Sequence, residues 1–348
     1  MHIEWIVALG AIALALAFDF VNGFHDTANA VATVIYTKAL KPSVAIIMAG
    51  LLNFAGAVLV GTAVAKVITK IIPQDKVTLT VVVAVLIGAL IWNVLTWYFG
   101  LPVSSSHCLI GSLFGAGVAA GGMTGVNWAD LNKVLLALVL SPFAGFLLGG
   151  VITWLVVKLT RNQKHNPESP PALLRAMQVL SSASVSFTHG SNDGQKTMGI
   201  ITLILALSFP HMGYNMKEVP LWVMIAAAAA IGIGTTIGGW RVIRTVGSKI
   251  SNDKIKYEHG FGAEFSTASI IYLASLFGAP ISTTHTLTSA VAGGTIPASG
   301  FGKLNLKTVQ MILLAWVFTL PVVALLSGGT YVLLSHTMPP NLTIAAKN

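Results

Sequence analysis

The sequence predicts an all-α polytopic membrane protein: two inverted repeats, with discontinuous helices and hairpin-like helix starts around a site at the membrane midplane. Three observations predict this fold class: the composition, the length of the apolar runs, and motifs that occur twice. Hydrophobic residues make up 55% of the 348 residues and charged residues only 9%, whereas about a quarter of the residues of a soluble domain are charged. The chain is therefore expected to lie in a lipid bilayer.

Ten apolar stretches divide the chain, and several have the roughly 20 residues that a spanning helix needs. They cover residues 4–36, 43–69, 78–99, 101–121, 132–157, 172–207, 221–239, 265–279, 281–297 and 308–335. Because the runs are long and do not alternate, they favour helices over the strands of an outer-membrane barrel. The runs at 101–121 and 281–297 are short enough to be either full crossings or paired re-entrant pieces.

The distribution of basic residues predicts the orientation. If each run is one crossing and the N-terminus lies outside, thirteen Lys and Arg residues face the cytoplasm and six face the outside, as the positive-inside rule requires. The net charge of +9 is then explained by cytoplasmic loops, and no nucleic-acid partner is expected. The first run has no basic segment before it and leads into a repeated motif, so it is interpreted as a helix of the mature protein.

Two pairs of motifs relate the halves of the chain. FVNGFHDTANAVAT from Phe20 aligns without a gap on FTHGSNDGQKTMGI from Phe187, and LPVSSSH ending at His107 matches APISTTH ending at His285. The expected organisation is a first membrane repeat at 1–157, a cytoplasmic linker at 158–171, a second repeat at 172–335 and a tail at 336–348. Because each half makes an odd number of crossings, the two halves must be inverted.

The first motif pair places polar residues at membrane depth. Asp26, Asp193 and Lys196 lie near the middle of long apolar runs, where a charged side chain costs about 2.5–3.5 kcal/mol and marks a functional site. Gly23 and Gly190 are expected to interrupt the helices beside these charges. The alternative is that the acids and amides only join helices by hydrogen bonds. Their matched occurrence in both halves favours a shared site at the midplane.

The second motif pair predicts two helix starts that bind an anion. Pro102 and Pro280 suit the first turn of a helix, and the hydroxyls of Ser104, Ser105, Ser106, Ser282, Thr283 and Thr284 follow them. Amide donors and the positive end of the helix dipole favour an anion there. Two such starts facing each other suit a small, multivalent oxyanion. The alternative is that the hydroxyls bond to helix carbonyls.

Several polar residues keep more than one interpretation. His107 and His285 could contact the anion, move a proton or pack against backbone, and His25 and His189 are candidates for the site or buried neutral rings. Lys196 replaces Asn29 of the first half, and could neutralise Asp193 or attract an anion. Glu264 could bind a coupling ion or be a solvated residue at the membrane surface.

With these motifs, the whole chain resembles the inorganic phosphate transporter (Pit) family, and most closely its bacterial low-affinity carriers. The resemblance implies a cation-coupled symporter in the inner (plasma) membrane that works as a homodimer. The family's signature residues fall on Asn22, Asp26, Asn29, Asn192, Asp193, Gln195, Ser104 to Ser106 and Ser282 to Thr284. With Lys196 added from the sequence pattern, phosphate binding is expected at Ser104, Ser105, Ser106, Ser282, Thr283, Thr284, Asn22, Asn192 and Lys196. Cation coupling is expected at Asp26, Asp193, Asn29 and Gln195 and, from the sequence pattern, at Glu264. The same pattern makes His25, His107, His189 and His285 candidates for proton or anion contacts.

The resemblance leaves open the coupling ion, H⁺ or Na⁺, and the transported species, free phosphate or a metal–phosphate complex. It also includes sulfate permeases, so sulfate is the alternative substrate. No resident cofactor is expected. Ser, His and Asp together also suit a membrane-embedded hydrolase, but symmetric duplicated sites favour alternating access over a single catalytic centre. A channel is the remaining alternative, and it would need no cation.

Overall fold

The protein is described here from a computed structural model, which covers residues 3–160, 172–339 and 342. Within these residues it consists of α-helices and three short 3₁₀ turns. The helices are α1 (Ile3–Tyr36), α2 (Pro42–Leu59), α3 (Ala63–Ile68), α4 (Leu79–Phe99), α5 (Ser105–Gly121), α6 (Trp128–Thr160), α7 (Ala172–Ser208), α8 (Leu221–Ile237), α9 (Trp240–Ser248), α10 (Tyr257–Leu276), α11 (Thr283–Ser299) and α12 (Leu306–Thr337). Most of the predicted linker, at 161–171, and of the tail, at 340–341 and 343–348, lies outside the described residues.

The second half repeats the order of helices in the first, so that α1–α6 correspond to α7–α12. The packing between the halves is reciprocal. Helix α5 packs on α12 and α11 packs on α6, while α1 packs on α8 and α2 packs on α7. Each half thus inserts its elements between those of the other. The polar site is formed where the halves interlock, and both contribute to it.

The corresponding helices α1 and α7 run in opposite directions. The Asn22 side chain donates to Asp193 over 3.3 Å, and eight residues further along α1 the carbonyl of Ala30 accepts a 2.6 Å hydrogen bond from Ser182. Residue numbers therefore rise on α1 while they fall on α7. Two equivalent helices that cross the molecule antiparallel belong to inverted halves, which agrees with the predicted fold class.

Each half contains a crossing that is partly extended. Helix α4 ends at Gly100, whose φ of 66° is left-handed, and the chain stays extended until α5 begins at Ser105. Helix α5 then ends at Gly121, beside Lys76, which precedes α4. The chain has therefore returned to the face where α4 started, so residues 101–121 form one complete, discontinuous crossing. Gly278, with φ 69°, begins the equivalent segment of the second half.

The sequence-based placement of the prolines in the first helical turn is wrong. Pro102 and Pro280 lie in the extended segments, each two residues before a helix N-cap. Ser104 and Ser282 are the N-caps, because their hydroxyls accept from the amides of His107 and His285 at 3.2 and 3.0 Å. The fixed φ of proline suits an extended segment as well as a first turn. The cap therefore decides where each helix begins.

The expectation that Gly23 and Gly190 break their helices is also wrong. Both α1 and α7 run through these glycines without interruption. A Cβ at Gly23 would collide with the backbone of α8, and a Cβ at Gly190 would collide with the carbonyl of Asn53 on α2. The glycines instead let backbones of the two halves approach closely, as small residues do in membrane proteins.

A polar layer separates two apolar clusters. One cluster includes Phe18, Leu86 and Leu113, and the other includes Val34, Val246 and Val291. The layer between them contains the polar residues of α1 and α7. Six helices in the described ranges are long and apolar enough to span a membrane, and the pair α8–α9, bent by 69°, is a seventh candidate. The layer therefore lies at membrane depth.

The basic residues lie unevenly on the two membrane faces. Tyr36 at the end of α1 contacts Gly247 of α9, and Arg175 at the start of α7 donates to the carbonyl of Ala39, so these segments share one face. At the other end of α1, Trp5 packs on Phe209. Of the Lys and Arg residues that the structure describes, eleven lie on the first face and five on the second.

Candidate functional site

The centre of the polar layer is formed by side chains of α1 and α7 and by the starts of α5 and α11. Asp26 and Asp193 are 1% and 0% exposed. Both face one imidazole: the Nε2 atom of His189 lies 3.6 Å from an oxygen of each carboxylate. The two acids that the sequence places at matched positions are therefore brought together, on opposite sides of a single ring.

Asp26 is held by groups of both halves. Its Oδ1 lies 2.6 Å from Nδ1 of His25, and its Oδ2 accepts from the hydroxyl of Thr284 over 3.1 Å. That hydroxyl oxygen in turn accepts from the amide of Asn29 over 2.9 Å. An acid and an amide one turn apart on α1 thus hold the start of α11.

Asp193 forms the only Lys or Arg ion pair with a buried acid among the described residues. Its Oδ1 lies 2.6 Å from Nζ of Lys196, and its Oδ2 accepts from Ser105 over 3.0 Å. Lys196 also donates to Ser106 over 2.5 Å, and that hydroxyl donates to the carbonyl of Ile281 over 2.6 Å. Of the two interpretations of Lys196, the contacts favour neutralisation of Asp193.

The start of α5 meets the start of α11 head to head. Ser106 of α5 bonds to the extended segment before α11, and the rings of His107 and His285 are 4.3 Å apart. Because each helix start carries amides without intrahelical partners and the positive end of a dipole, two positive ends point into the polar layer. The hydroxyl side chains there lie between these ends and the carboxylates.

Asn53 of α2 determines the orientation of His189. The Asn53 amide nitrogen donates to Thr235 over 3.1 Å, so its Oδ1 faces Nδ1 of His189 at 2.8 Å as an acceptor. A neutral ring with its proton on Nδ1 presents a lone pair at Nε2 to both carboxylates. That arrangement favours a proton or a metal cation between the three groups. Ligand atoms of Asp26, His189 and Asp193 all lie within 4.8 Å of one another, as binding a metal ion requires.

Three predicted site residues have other contacts. Gln195 accepts from the amide of Val64 at 2.8 Å and donates to the carbonyl of Ser191 at 2.5 Å, so both ends of its amide bond to backbone. Asn192 bonds to Ser275 and to the extended segment at 279–281. Glu264 is fully buried and accepts from Thr33 and Ser181. The interpretation of Glu264 as a solvated residue is therefore wrong, because burial on α10 places it against α1 and α7.

His107 and His285 point away from the acids. His285 stacks on Trp316 with ring centroids 3.8 Å apart. Both histidines line a cavity of about 640 Å³ between α6, α11 and α12, whose other walls are mainly apolar. An apolar wall offers nothing to a phosphate-like anion, and neither ring bonds to the hydroxyls of the helix starts. The structure thus separates these two histidines from His25 and His189.

The sequence interpretation left two buried polar residues out of the site. Asn53 orients His189. In the sequence, it could have been recognised only as a single amide within the apolar run 43–69. Asp19 lies on the same face of α1 as Asn22 and Asp26, at helical spacings of three and seven residues. Its carboxylate is fully buried. The spacing was visible in the sequence, but only packing shows that the whole stripe faces α7.

Comparisons with known proteins agree with the geometry. Residues 22–327 match the profile of the PHO4 phosphate transporter family. A probable low-affinity inorganic phosphate transporter of Bacillus subtilis is 44% identical over 340 residues, covering 96% of this chain and 99% of that protein. A protein of the same description from Rhizobium meliloti is 42% identical, covering 93% and 95%. A solved structure described as the sodium-dependent phosphate transporter is 27% identical with a TM-score of 0.84, covering 96% of this chain and 100% of that one.

Proposed function

Because the chain belongs to the phosphate transporter family, we propose that it imports inorganic phosphate across the inner membrane by cation symport. The observation that carries the proposal is the meeting of two hydroxyl-bearing helix starts beside Asp26 and Asp193. Helix starts suit an oxyanion, and the acids suit a coupling cation. Inverted repeats that converge on a midplane site are typical of secondary transporters.

In the proposed mechanism, the hydroxyls of Ser104 to Ser106 and Ser282 to Thr284 bind phosphate, with Asn22 and Lys196 beside them. Asp26 and Asp193 bind the cation together with His189 and Asn29. Carboxylates repel an anion, so a cation between them makes phosphate entry favourable. The cation and the anion therefore raise each other's affinity, which is the coupling a symporter needs. The loaded centre then changes access between the two faces.

The contacts refine the predicted residue roles. Asn192 supports the start of α11 through the segment at 279–281, and Gln195 supports α3 through Val64. We assign both residues to positioning of the site. Glu264 remains a candidate coupling residue, because a buried acid in a membrane protein is a functional candidate. Glu264 accepts a hydrogen bond from Thr33, and Thr33 lies on the same face of α1 as Asp26.

The coupling ion and the orientation are further parts of the proposal. The structural relative is described as sodium-dependent, which supports Na⁺, while the imidazole between the two acids also suits a proton. The face with eleven basic residues is assigned to the cytoplasm, because positive charge accumulates there. The N-terminus then lies on the outer face. We propose a homodimer, which cross-linking in native membranes tests.

The deciding experiment is uptake of radiolabelled phosphate by proteoliposomes under an imposed Na⁺ or pH gradient. We expect saturable uptake that stops when one of these gradients is dissipated. Inhibition of phosphate uptake by added sulfate or arsenate measures the specificity for phosphate over sulfate. Inhibition of uptake by a metal chelator would show that the transported species is a metal–phosphate complex and not free phosphate. Uptake that continues without either cation gradient would support a channel, and turnover of a labelled phosphate ester would support a hydrolase. Either result would contradict the proposal.

A further inference from the structure

The apolar cavity between α6, α11 and α12 has no part in the proposed phosphate mechanism. Its volume of about 640 Å³ lies within the range of small-ligand sites, about 300–1,000 Å³. Residues of α12 line it from Val309 to Leu320, a distance of about 16 Å at the usual rise of an α-helix. The hydrocarbon layer of one bilayer leaflet is about 15 Å thick, half of the whole core. The cavity therefore has the length of one lipid chain.

One side of the cavity opens toward the bilayer. Val139 and Phe143 of α6 and Val317 of α12 line it, and all three side chains are exposed. Helices α6 and α12 are both long and apolar enough to span a membrane, so these exposed side chains face lipid. A hydrocarbon chain enters such an opening without crossing a polar surface, whereas a water-soluble ligand would have to cross hydrocarbon. The occupant is therefore expected to come from the membrane.

One end of the cavity lies at the membrane face that carries most of the basic residues. Ile250, which follows α9, and Leu304, which precedes α12, line this end. Backbone hydrogen bonds join their two segments, because the amide of Asn305 donates to the Ile250 carbonyl over 2.9 Å and the amide of Asn252 donates to the Lys303 carbonyl over 2.7 Å. The two segments thus form one end wall, at the level where lipid head groups lie.

This end wall carries an excess of positive charge. Residues 249–256 and 303–307 contain five lysines and a single acid, Asp253, which offsets one of the five charges. Lys249 directly precedes Ile250, and Lys303 directly precedes Leu304. Lys249, Lys303 and Lys307 are exposed, and none of them forms an ion pair with an acid in the described part of the chain. Clustered basic residues at the cytoplasmic end of membrane helices are typical of sites for anionic lipid head groups.

We propose that the cavity binds one hydrocarbon chain of an anionic phospholipid, whose phosphate head group lies on Lys249, Lys303 and Lys307. The apolar walls bind the chain, because they remove it from contact with other groups along the depth of one leaflet. They would accept a chain of any lipid, and the lysines select a negatively charged head group. The inference concerns a membrane lipid and does not depend on the proposed phosphate transport.

A bound chain would reach the two helix starts at the centre of the protein. Trp316 lines the cavity near the middle of α12. Its Nε1 donates to the carbonyl of Pro102 over 2.9 Å, in the extended segment before α5, and its ring stacks on His285 of α11. The lipid chain therefore packs against a side chain that contacts both halves of the polar centre. We expect added anionic phospholipid to raise the melting temperature of the protein in detergent.

The test is photolabelling of the purified full-length protein in detergent, in the absence of phosphate. The probe is phosphatidylglycerol with a diazirine at the end of one acyl chain, and labelled peptides are identified by mass spectrometry. Labelling is expected within 138–146 and 309–320, the stretches of α6 and α12 that line the cavity. Excess unlabelled phosphatidylglycerol should prevent it. Excess phosphatidylcholine or inorganic phosphate should not.

A substitution that fills the cavity tests the chain. Ala292 is a buried wall residue, and Ala292→Phe should reduce labelling by about tenfold or more, because its ring displaces several methylene groups of the chain. Ala13→Phe is the matched control, since Ala13 is exposed on α1 and lies outside the cavity. It should be labelled like wild type.

Substitution of the lysines tests the head group, and it leaves the cavity unchanged. Replacing Lys249, Lys303 and Lys307 with Gln should weaken binding of the probe about fivefold for each lysine, or about 1 kcal/mol each. The control replaces Lys66, Lys70 and Lys217 with Gln, which removes three exposed lysines at the opposite membrane face. The control protein should bind the probe like wild type.

Three outcomes would overturn the inference. The first is wild-type labelling that is spread evenly over the exposed helices. The second is equal competition by phosphatidylcholine and phosphatidylglycerol, together with unchanged binding in the lysine variant. The third is an unlabelled cavity whose Val317→Cys variant forms a disulfide between two chains, which would show that a second copy covers it. Because no phosphate is present, failure of phosphate uptake in proteoliposomes would contradict the proposed function and leave the lipid site standing.

Discussion

Each repeat contributes one half-site to the polar centre, Asp26 with Asn29 in the first repeat and Asp193 with Lys196 in the second. The two half-sites have the same backbone arrangement and different charges. In one, Asp26 accepts from Thr284, and Asn29 donates to the same hydroxyl. In the other, Lys196 stands where Asn29 stands and donates to Ser106, the counterpart of Thr284. Because the lysine occupies that hydroxyl, Asp193 bonds to the neighbouring Ser105 instead. One substitution between repeats thus shifts the contact of the acid by one residue.

This difference shows how a symmetric scaffold yields an asymmetric electrostatic site. The acid of the second half has a lysine of its own, whereas the acid of the first half contacts two imidazoles and a hydroxyl. The first half-site therefore needs a cation from solution more than the second does. The lysine also places a positive charge next to the helix starts, where an anion is proposed to bind.

The largest expected effect comes from neutralising each acid. Asp26→Asn and Asp193→Asn should both abolish cation-driven phosphate uptake in proteoliposomes. They should differ in stability, because Asp193→Asn leaves Lys196 buried without a counter-charge. We expect the free energy of unfolding to fall by about 3–5 kcal/mol for Asp193→Asn and by about 1 kcal/mol for Asp26→Asn, measured by thermal melting in detergent.

A double substitution provides the control for this difference. Asp193→Asn combined with Lys196→Met removes both charges of the pair, so most of the lost stability should return while uptake stays absent. Equal melting temperatures for the two single variants would show that Lys196 does not depend on Asp193. Near-normal uptake by either single variant would remove that acid from the proposed coupling site.

A smaller effect is expected from making the half-sites alike. Lys196→Asn restores the residue type of position 29 and leaves Asp193 without its cation. The added repulsion should raise the phosphate concentration for half-maximal uptake about tenfold, or about 1.4 kcal/mol. Lys217→Asn makes the same chemical change at an exposed position and should have no effect. A lower half-saturation concentration in Lys196→Asn would show that the lysine hinders phosphate.

Substitution of one hydroxyl in each half-site tests the difference between the half-sites on a smaller scale. Thr284→Val and Ser105→Ala each remove one hydroxyl that is proposed to bind phosphate, and a hydrogen bond to a charged group is worth about 1.5 kcal/mol. Each should weaken phosphate binding about tenfold, measured with radiolabelled phosphate and purified protein. Thr202→Val is the control, because its hydroxyl bonds only to the Met198 carbonyl of its own helix. An effect at one hydroxyl and none at the other would place phosphate on a single helix start.

The smallest effect is expected from the histidines that follow the hydroxyls. His107 and His285 contact each other and Trp316, and line the apolar cavity. His107→Gln and His285→Gln should therefore change the rate of phosphate uptake by less than about threefold, since neither ring bonds to the acids. A loss as large as that of Asp26→Asn would show that these rings join the site during the transport cycle.

Much of the fold followed from the sequence because the bilayer restricts the choices. Apolar runs give the helices, since a backbone in lipid must satisfy its own hydrogen bonds. The alignment of Asp26 with Asp193, together with an odd number of crossings, gave the inverted halves. The prediction was wrong at Gly23 and Gly190, where glycine was interpreted as a helix break. A glycine that relieves a close contact and one that ends a helix look the same in one sequence.

The sequence by itself determined which polar residues had to be buried, because residues within long apolar runs have no route to water. Only the tertiary structure decided which of them meet. Antiparallel packing of α1 on α7 brought Asp26 and Asp193 to one imidazole and turned Gln195 toward the backbone of α3. These outcomes depend on the register between helices distant in sequence. That register is set by close contacts such as those at Gly23 and Gly190, which no local pattern encodes.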